Sequence, residues 1–384
     1  LDLKSLIDTR RRGEPDLALM ALIFVLAGIG IALNYSASAV YAQKTFGDSF
    51  YFLKRQLLWF VTGLVALFVF QEIDYKIYKK YTKAFLFISI ALLGLVLVPG
   101  IGHSVKGSVR WFSIGPLSVQ PSEMVKLMMV IYLVKVFSSE NSRNHVIQLL
   151  IPMMVVAAVF MLILMQPDFG TAMDLLIVSV LILFMSGFPF LYIAGLFILS
   201  IPMFYLLIYQ VGYRKDRILA FQNPWSDRFG KGYHVIQSFI AFKKGGLLGV
   251  GLGFGSQKIS RLPEPHTDFI FAVIAEEMGL VGTICMIGLF LALFWRSVVV
   301  SISAPDDFGR LLALGLGLLI VVQAFINIGV VIGSLPATGL PLPFISYGGS
   351  SLLVNMISGG ILLNISRYRE AANQGVKINE EVWQ

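Results

Sequence analysis

The chain reads as an all-α polytopic membrane protein of about ten transmembrane helices, with a large extracytoplasmic loop between spans 7 and 8. Three observations predict this. Of 384 residues, 57% are hydrophobic and only 14% are charged, where soluble domains carry about 25% charge. Apolar runs recur along almost the whole length, many of them long enough to cross ~30 Å of hydrocarbon. Basic residues collect in alternate connections between those runs, the asymmetry that orients membrane proteins.

The spans are expected near residues 17–39, 56–71, 84–99, 123–137, 147–165, 170–186, 188–209, 269–296, 309–332 and 348–366. The first follows Lys4, Arg10, Arg11 and Arg12 and has no small-residue cleavage site, so it reads as a retained span. Because the chain opens on Leu, some native N-terminal residues are expected to be missing. Spans two to four are short and need flanking residues or a thin bilayer. Gly187 and Pro189 divide what would otherwise be one very long helix into spans six and seven.

Placing the N-terminus inside puts Lys76, Lys79, Lys80, Lys83, Lys135, Arg143, Arg296, Arg310, Arg367 and Arg369 in cytoplasmic segments. The short outer loops then hold only Lys44, Lys54, Arg55, Lys106 and Arg110. Both termini are therefore expected in the cytoplasm: residues 1–16 as an N-terminal segment and 367–384 as a tail, on a single integral-membrane domain spanning 1–384. The formal charge of +8 needs no nucleic acid to explain it. Cys285 is the only cysteine, which excludes intrachain disulfides and cysteine zinc clusters.

The loop 211–267 departs from the charge pattern. It carries Arg214, Lys215, Arg217, Arg228, Lys231, Lys243, Lys244, Lys258 and Arg261 against Asp216, Asp227 and Glu264. A basic outer loop beside a membrane suits an anionic substrate with a lipid tail, and equally suits attachment to anionic headgroups of membrane lipids. Phe221, Trp225, Tyr233 and Phe239 point to partial burial or to a lie along the interface. The glycines between 245 and 255 lack the strand–turn–helix unit of a nucleotide site. They read instead as places where backbones approach closely or turn at the membrane surface.

Asp268 stands at the mouth of the eighth span, directly behind that basic loop. A carboxylate there is either a helix-end acid, with Thr267 or His266 capping the helix, or a chemical group. In a closed site it would act on a hydroxyl or hold a divalent metal. Glu276 and Glu277 project away from Asp268 on an extrapolated helix and read as contacts to neighbouring helices. Glu123 and Lys126 share one face of the fourth span, either as a structural ion pair or with Lys126 facing a phosphate. Asp168 opens the sixth span as a helix-end carboxylate, and Asp174 lies deeper, needing a polar partner that the sequence does not name. Residues 333–351 hold Pro336, Pro341, Pro343, Gly348 and Gly349 and cannot form a regular helix. At membrane depth they must be buried in protein or line a cavity, and Ser346, Tyr347, Ser350 and Ser351 offer hydroxyls there.

Five stretches together resemble the SEDS family (shape, elongation, division and sporulation), whose members include the RodA-, FtsW- and SpoVE-type proteins. They are RWFSIGPLSVQPSEMVKL at 110–127, QPDFGTA at 166–172, YRKDRILAFQNPWSD at 213–227, the run 232–279 and the run 323–351. The resemblance implies a peptidoglycan glycosyltransferase that polymerises lipid II on the outer face of the bacterial cytoplasmic membrane, for elongation, division or sporulation. It places the family's catalytic aspartate on Asp268 and its motif positions on Arg110, Trp111, Glu123, Lys126, Asp168, Arg217, Gln237, Lys258 and His266. It also implies a divalent cation, magnesium or manganese, with Asp268 as a candidate ligand and no organic cofactor. A class B penicillin-binding protein is the implied partner, alongside other cell-wall machinery. Phe254 and Pro265 depart from the family pattern without removing a charged motif residue. A lipid II flippase and a non-catalytic scaffold for cell-wall synthases are the rival expectations. The first should show repeat symmetry, which is not found, and the second leaves Asp268 and the basic loop without a role.

Overall fold

The computed structural model of the chain describes residues 13–105, 108–114, 117–139, 146–209, 212–230, 232–256 and 265–368. Helices α1 (Leu17–Phe46), α2 (Tyr51–Glu72) and α3 (Lys76–Val96) come first. A small sheet follows, β1 (His103–Val105), β2 (Ser108–Ile114) and β3 (Leu117–Val119). Next are α4 (Pro121–Phe137), α5 (Val146–Met165), α6 (Phe169–Met185) and α7 (Phe190–Tyr209). The connection after α7 contains α8 (Gly212–Gln222), a 3₁₀ turn (Pro224–Asp227) and α9 (Tyr233–Gly245). The last three helices are α10 (Ile270–Ile302), α11 (Asp307–Val331) and α12 (Gly349–Ser366).

Each expected span falls on one of these helices, but several helices run further than their apolar window. Lys76, Lys79, Lys80 and Lys83, expected in a loop, form the first turns of α3. The reason is physical: hydrocarbon ends before the helix does, and a lysine-rich turn is a good helix former in water or headgroups. Among the described residues, α1, α2, α10, α11 and α12 are long and apolar enough to cross a membrane by length and composition.

α11 and α12 are enclosed by the others. Buried apolar side chains such as Leu311, Leu312, Ala313 and Val321 point to all sides of α11, as expected of an enclosed helix that is hydrophobic all round. α12 lies along α2, α10 packs on α1, α9 and α11, and α4 sits between α3, α6 and α11. Small residues permit the closest approaches. α7 is peripheral, with Phe190, Leu191, Phe197, Ile198 and Leu199 facing outward.

The sheet was not anticipated. β1, β2 and β3 form an antiparallel meander, pairing His103 with Trp111 and Phe112 with Val119. The β-branched and aromatic residues Val109, Trp111, Phe112 and Ile114, bounded by Gly107 and Gly115–Pro116, carried the signal.

At one end of the bundle the two ends of the described chain meet. The Gly13 N–H donates to the Arg367 carbonyl (2.8 Å), and the Asp16 N–H donates to Ser366 Oγ (3.0 Å). Asp16 also pairs with Arg296, and Arg367 with Glu72 (2.6 Å). Beside them, Tyr75 donates its phenol to Asp306 (2.5 Å). Burial first, and then that carboxylate, hold the phenol proton well above its ordinary range, so Tyr75 remains a donor.

α10 is two helices in series. Gly279 adopts φ 66° and ψ −162°, opening the helix, and the segment after α9 fills the gap. Val250 and Gly251 N–H groups donate to the Glu276 and Glu277 carbonyls (3.0 Å each). Leu280 and Val281 N–H groups donate back to Gly246 (2.9 Å) and Leu247 (3.2 Å). The close approach requires Gly249, at φ 81°, where a Cβ would run into the Glu277 carbonyl. Gly249→Val should therefore lower the thermal midpoint, by strain worth about 1–3 kcal/mol. Gly288→Ala, in the same helix with open space around it, should hold or raise the midpoint. Thermal unfolding of the two variants beside the parent checks this; equal midpoints would refute the packing described.

Candidate active site

Asp268 lies in a turn, residues 265–269, before α10 begins at Ile270. The expected cap by Thr267 or His266 is absent: the helix cap is Phe269, with no side-chain hydrogen bond. The carbonyls of this turn are instead held from outside. The Tyr347 N–H donates to the His266 carbonyl (2.8 Å), Ser346 Oγ to Thr267 (2.6 Å), and Asn327 Nδ2 to Asp268 (2.8 Å). Three successive peptide groups are thus fixed by α11 and by the proline-rich segment 333–348. Because Asp268 precedes the helix, the helical angle drawn from it to Glu276 and Glu277 does not apply. Those acids are buried elsewhere, Glu276 on Ser256 (3.0 Å) and Glu277 on Ser36 of α1 (2.9 Å).

The Asp268 carboxylate is partly exposed and faces Gly339, where a Cβ would stand 3.6 Å from its Oδ2. Gly339 has φ 83°, so the proline-rich segment turns there without a side chain over the carboxylate. His266 is buried in an aromatic box, with ring centroids 4.3 Å from Phe52, 5.7 Å from Tyr347 and 5.8 Å from Tyr41. Burial pushes the Tyr347 phenol above its ordinary value, and Arg55 beside it pulls the other way.

The same segment gathers the other motif residues. Arg217 on α8 donates Nη1 to the carbonyls of Ala337 (2.9 Å) and Thr338 (3.4 Å). Asp168 caps α6, accepting from the Thr171 N–H (3.2 Å), as the sequence indicated. It also accepts from Gln120 Nε2 (3.0 Å) and pairs with Arg110 at 3.5 Å. Arg110, on β2, donates Nε to the Gln166 carbonyl (2.8 Å) and another guanidinium nitrogen to the Pro167 carbonyl. Its neighbour Trp111 is half-buried. This arginine therefore staples the meander onto the α5–α6 turn.

Lys126 is sealed inside, 1% exposed, between α4, α6 and α11. Its ammonium meets Asp174 Oδ2 at 2.9 Å, Glu123 Oε1 at 3.3 Å and Gln323 Oε1 at 2.6 Å. Asp174 thereby finds the partner that the sequence did not name. The amide of Gln323 continues outward, donating to the Pro341 carbonyl (2.9 Å). Lys126 thus reaches the proline-rich segment through one side chain, with all its donors directed to protein acceptors. Gln237 on α9 is buried, and its Oε1 has no hydrogen-bond partner among the described residues. Lys258 lies outside the described residues.

Gln323 and Asn327 were missed. They stand four apart on one face of α11, and polar pairs within an otherwise apolar span are the signal that could have found them. Asn327 Nδ2 bridges the Asp268 and Leu340 (2.7 Å) carbonyls. Asn327→Asp sets a carboxylate against both carbonyls, and turnover is expected to fall at least about tenfold, a loss near 1.4 kcal/mol of transition-state stabilisation. The Michaelis constant should change little, because the defect lies in placing Asp268. Steady-state kinetics below the melting temperature distinguishes this from simple loss of folded protein.

Fold and site define a class: a polytopic helical membrane protein carrying a partly exposed acid on a braced turn at the mouth of a long helix. The chain matches the FtsW/RodA/SpoVE family model, described as cell cycle protein, over residues 17–371. It is 43% identical over 358 residues to a probable peptidoglycan glycosyltransferase FtsW of Trichlorobacter lovleyi, covering 93% of this chain and 94% of that one. It is 41% identical over 363 residues to the stage V sporulation protein E of Bacillus subtilis, covering 94% and 99%. Among solved structures it resembles a chain of a peptidoglycan synthase complex coordinating polymerisation and crosslinking, with TM-score 0.77, 30% identity, and coverage of 92% and 98%. It also resembles the rod shape determining protein RodA of Thermus thermophilus, with TM-score 0.69, 29% identity, and coverage of 92% and 97%. The chain belongs to the FtsW/RodA/SpoVE family, the SEDS proteins.

Proposed function

We propose that this protein is a peptidoglycan glycosyltransferase that polymerises lipid II at the outer face of the bacterial cytoplasmic membrane. The observation that carries the reading is the Asp268 turn, an accessible carboxylate whose three flanking carbonyls are all braced. Asp268 takes the proton from a sugar hydroxyl of one lipid-linked chain. That oxygen attacks the anomeric carbon of the other, the new glycosidic bond forms, and the bond to undecaprenyl pyrophosphate breaks. Arg217, held at the rim by the Ala337 carbonyl, and Lys258 are the cations assigned to the departing pyrophosphate. Lys126 acts at a distance, through Gln323, by keeping the proline-rich segment in place.

A divalent cation fits this site in one way. Among the described residues no three His, Cys, Asp or Glu side chains are grouped to hold a metal. A single carboxylate, Asp268, suits magnesium or manganese bound mostly through substrate phosphates and water. Such an ion would offset the charge that develops on the pyrophosphate.

The pairing of Gly13 with Arg367 supports placing both termini on one side, here the cytoplasm. Residues 211–267 then lie outside, where a class B penicillin-binding protein can cross-link the new glycan. The synthase complex found as a structural neighbour supports that partner. The test is purified protein with labelled lipid II and no other polymerase. Glycan ladders are expected. Transfer of intact lipid II across vesicles without polymer would establish a transporter instead, and neither activity, with partner present, would leave a scaffold.

A further inference from the structure

The segment that fills the break in α10 has a surface which the reaction does not use. Between Gly246 and Gly255 it carries no charge and turns Leu247 (71% exposed), Leu248 (80%), Val250, Leu252 and Phe254 (80%) outward. Five large apolar side chains exposed within eight residues would be a liability in water.

Part of its backbone is paired as a membrane-embedded segment requires. An irregular segment in lipid must satisfy its peptide groups within the protein. Here the N–H groups of Val250 and Gly251 and the carbonyls of Gly246 and Leu247 are paired with the open ends of the two α10 halves. The Gly249 and Phe254 N–H groups bond within the segment, to Gly245 (2.8 Å) and Gly251 (3.2 Å). The base is polar and closed: Lys244 donates to Ser256 Oγ (2.6 Å), and the Ser256 N–H donates to Glu276 (2.9 Å). A polar base under an apolar tip is the pattern of a surface that enters a membrane.

Position agrees. Arg296, the last charged residue of α10, pairs with Asp16 and sets the level of the inner boundary in this reading. Gly279 is 17 residues earlier, about 26 Å away along the helix, inside a hydrocarbon layer of ~30 Å. The outward-facing Leu280, Val281 and Ile284 of α10 continue the apolar surface of the segment into the membrane-spanning face. Lys243 and Lys244, exposed just before it, suit the level of anionic headgroups.

We propose that residues 247–254 form a re-entrant loop seated in the acyl chains of the outer leaflet, which holds the half-helix after Asp268 at a fixed depth. The occupant of this surface is lipid hydrocarbon, and the proposal does not depend on the reaction assigned to Asp268. Part of the expected extracytoplasmic loop is thereby moved into the bilayer.

The experiment uses the full chain in vesicles of phosphatidylethanolamine and phosphatidylglycerol. A nitroxide on the native Cys285, exposed on α10, provides the lipid reference. Leu248→Cys and Leu252→Cys, each in a Cys285→Ala background, carry the label into the loop at side chains that already point outward. Power saturation with oxygen and with a nickel chelate reads lipid and water separately. Oxygen should dominate at 248 and 252 as it does at 285. Nickel dominating at both positions would place the loop in water and overturn the proposal. Shielding from both reagents would mean that protein, a second copy included, covers the surface, and would overturn it equally.

Discussion

Asp268→Asn is expected to abolish polymerisation while leaving the protein folded and in the membrane. The substitution keeps the shape of the side chain and the backbone bonds through Tyr347, Ser346 and Asn327. What it removes is the group that accepts the proton, a contribution of about 10²–10⁴ in rate. Thermal melting should match the parent, since Asp268 is partly exposed and its carboxylate is not part of the core. Asp268→Ala should behave alike. Glycan ladders of normal length from either purified variant would remove Asp268 from the chemistry, and with it the function proposed above.

Lys126→Ala should act on stability first. It leaves Glu123 and Asp174 buried without their cation, and breaking such a pair costs about 3–5 kcal/mol. Glu123→Ala should cost less, because Asp174 and Gln323 still hold the ammonium. The Glu123→Ala/Lys126→Ala double variant should cost less than the sum of the two, since the members are coupled. The triple variant Glu123→Gln/Lys126→Met/Asp174→Asn, with no net charge left inside, should recover much of the loss. Melting temperature and turnover measured across this set decide the role of Lys126. Lost turnover with unchanged melting in Lys126→Ala would restore the direct phosphate contact that the burial argues against.

The helical architecture was legible because hydrocarbon imposes one simple signal, a long apolar window, which α1, α2, α10, α11 and α12 carry in full. Helix ends were not legible in the same way. The lysines of α3 are helical beyond the window, where hydropathy carries no information, and α10 runs past Arg296, the charge taken as its end, to Ile302. The break at Gly279 was hidden because its complement, Gly246 to Gly251, lies about thirty residues earlier and pairs only in three dimensions. At the site, Asp268 and Asp168 could be picked out because an acid at a span boundary is costly and therefore informative. Their supports could not. Asn327 and Ser346 act on backbone carbonyls, which every residue possesses and no sequence pattern marks. For Lys126 the pairing with Glu123 was readable from spacing along one helix. The deeper partnership with Asp174 and Gln323 needed three helices placed together.

The closure of the first helix onto the last has a consequence for the order of synthesis. Asp16 finds Ser366 350 residues further along, and Ser36 finds Glu277 across 241. At roughly 5–20 residues per second, α1 enters the bilayer about 20–70 s before Ser366 exists. During that interval Asp16 has neither Ser366 nor Arg296, and α2 lacks the helix along which it lies. The nascent protein therefore carries an unfinished seam until its last span arrives, and the N-terminal helices must be sheltered by lipid or by the insertion machinery. A chain stopped before α12 would keep that seam open, so closure at this end of the bundle waits on α12.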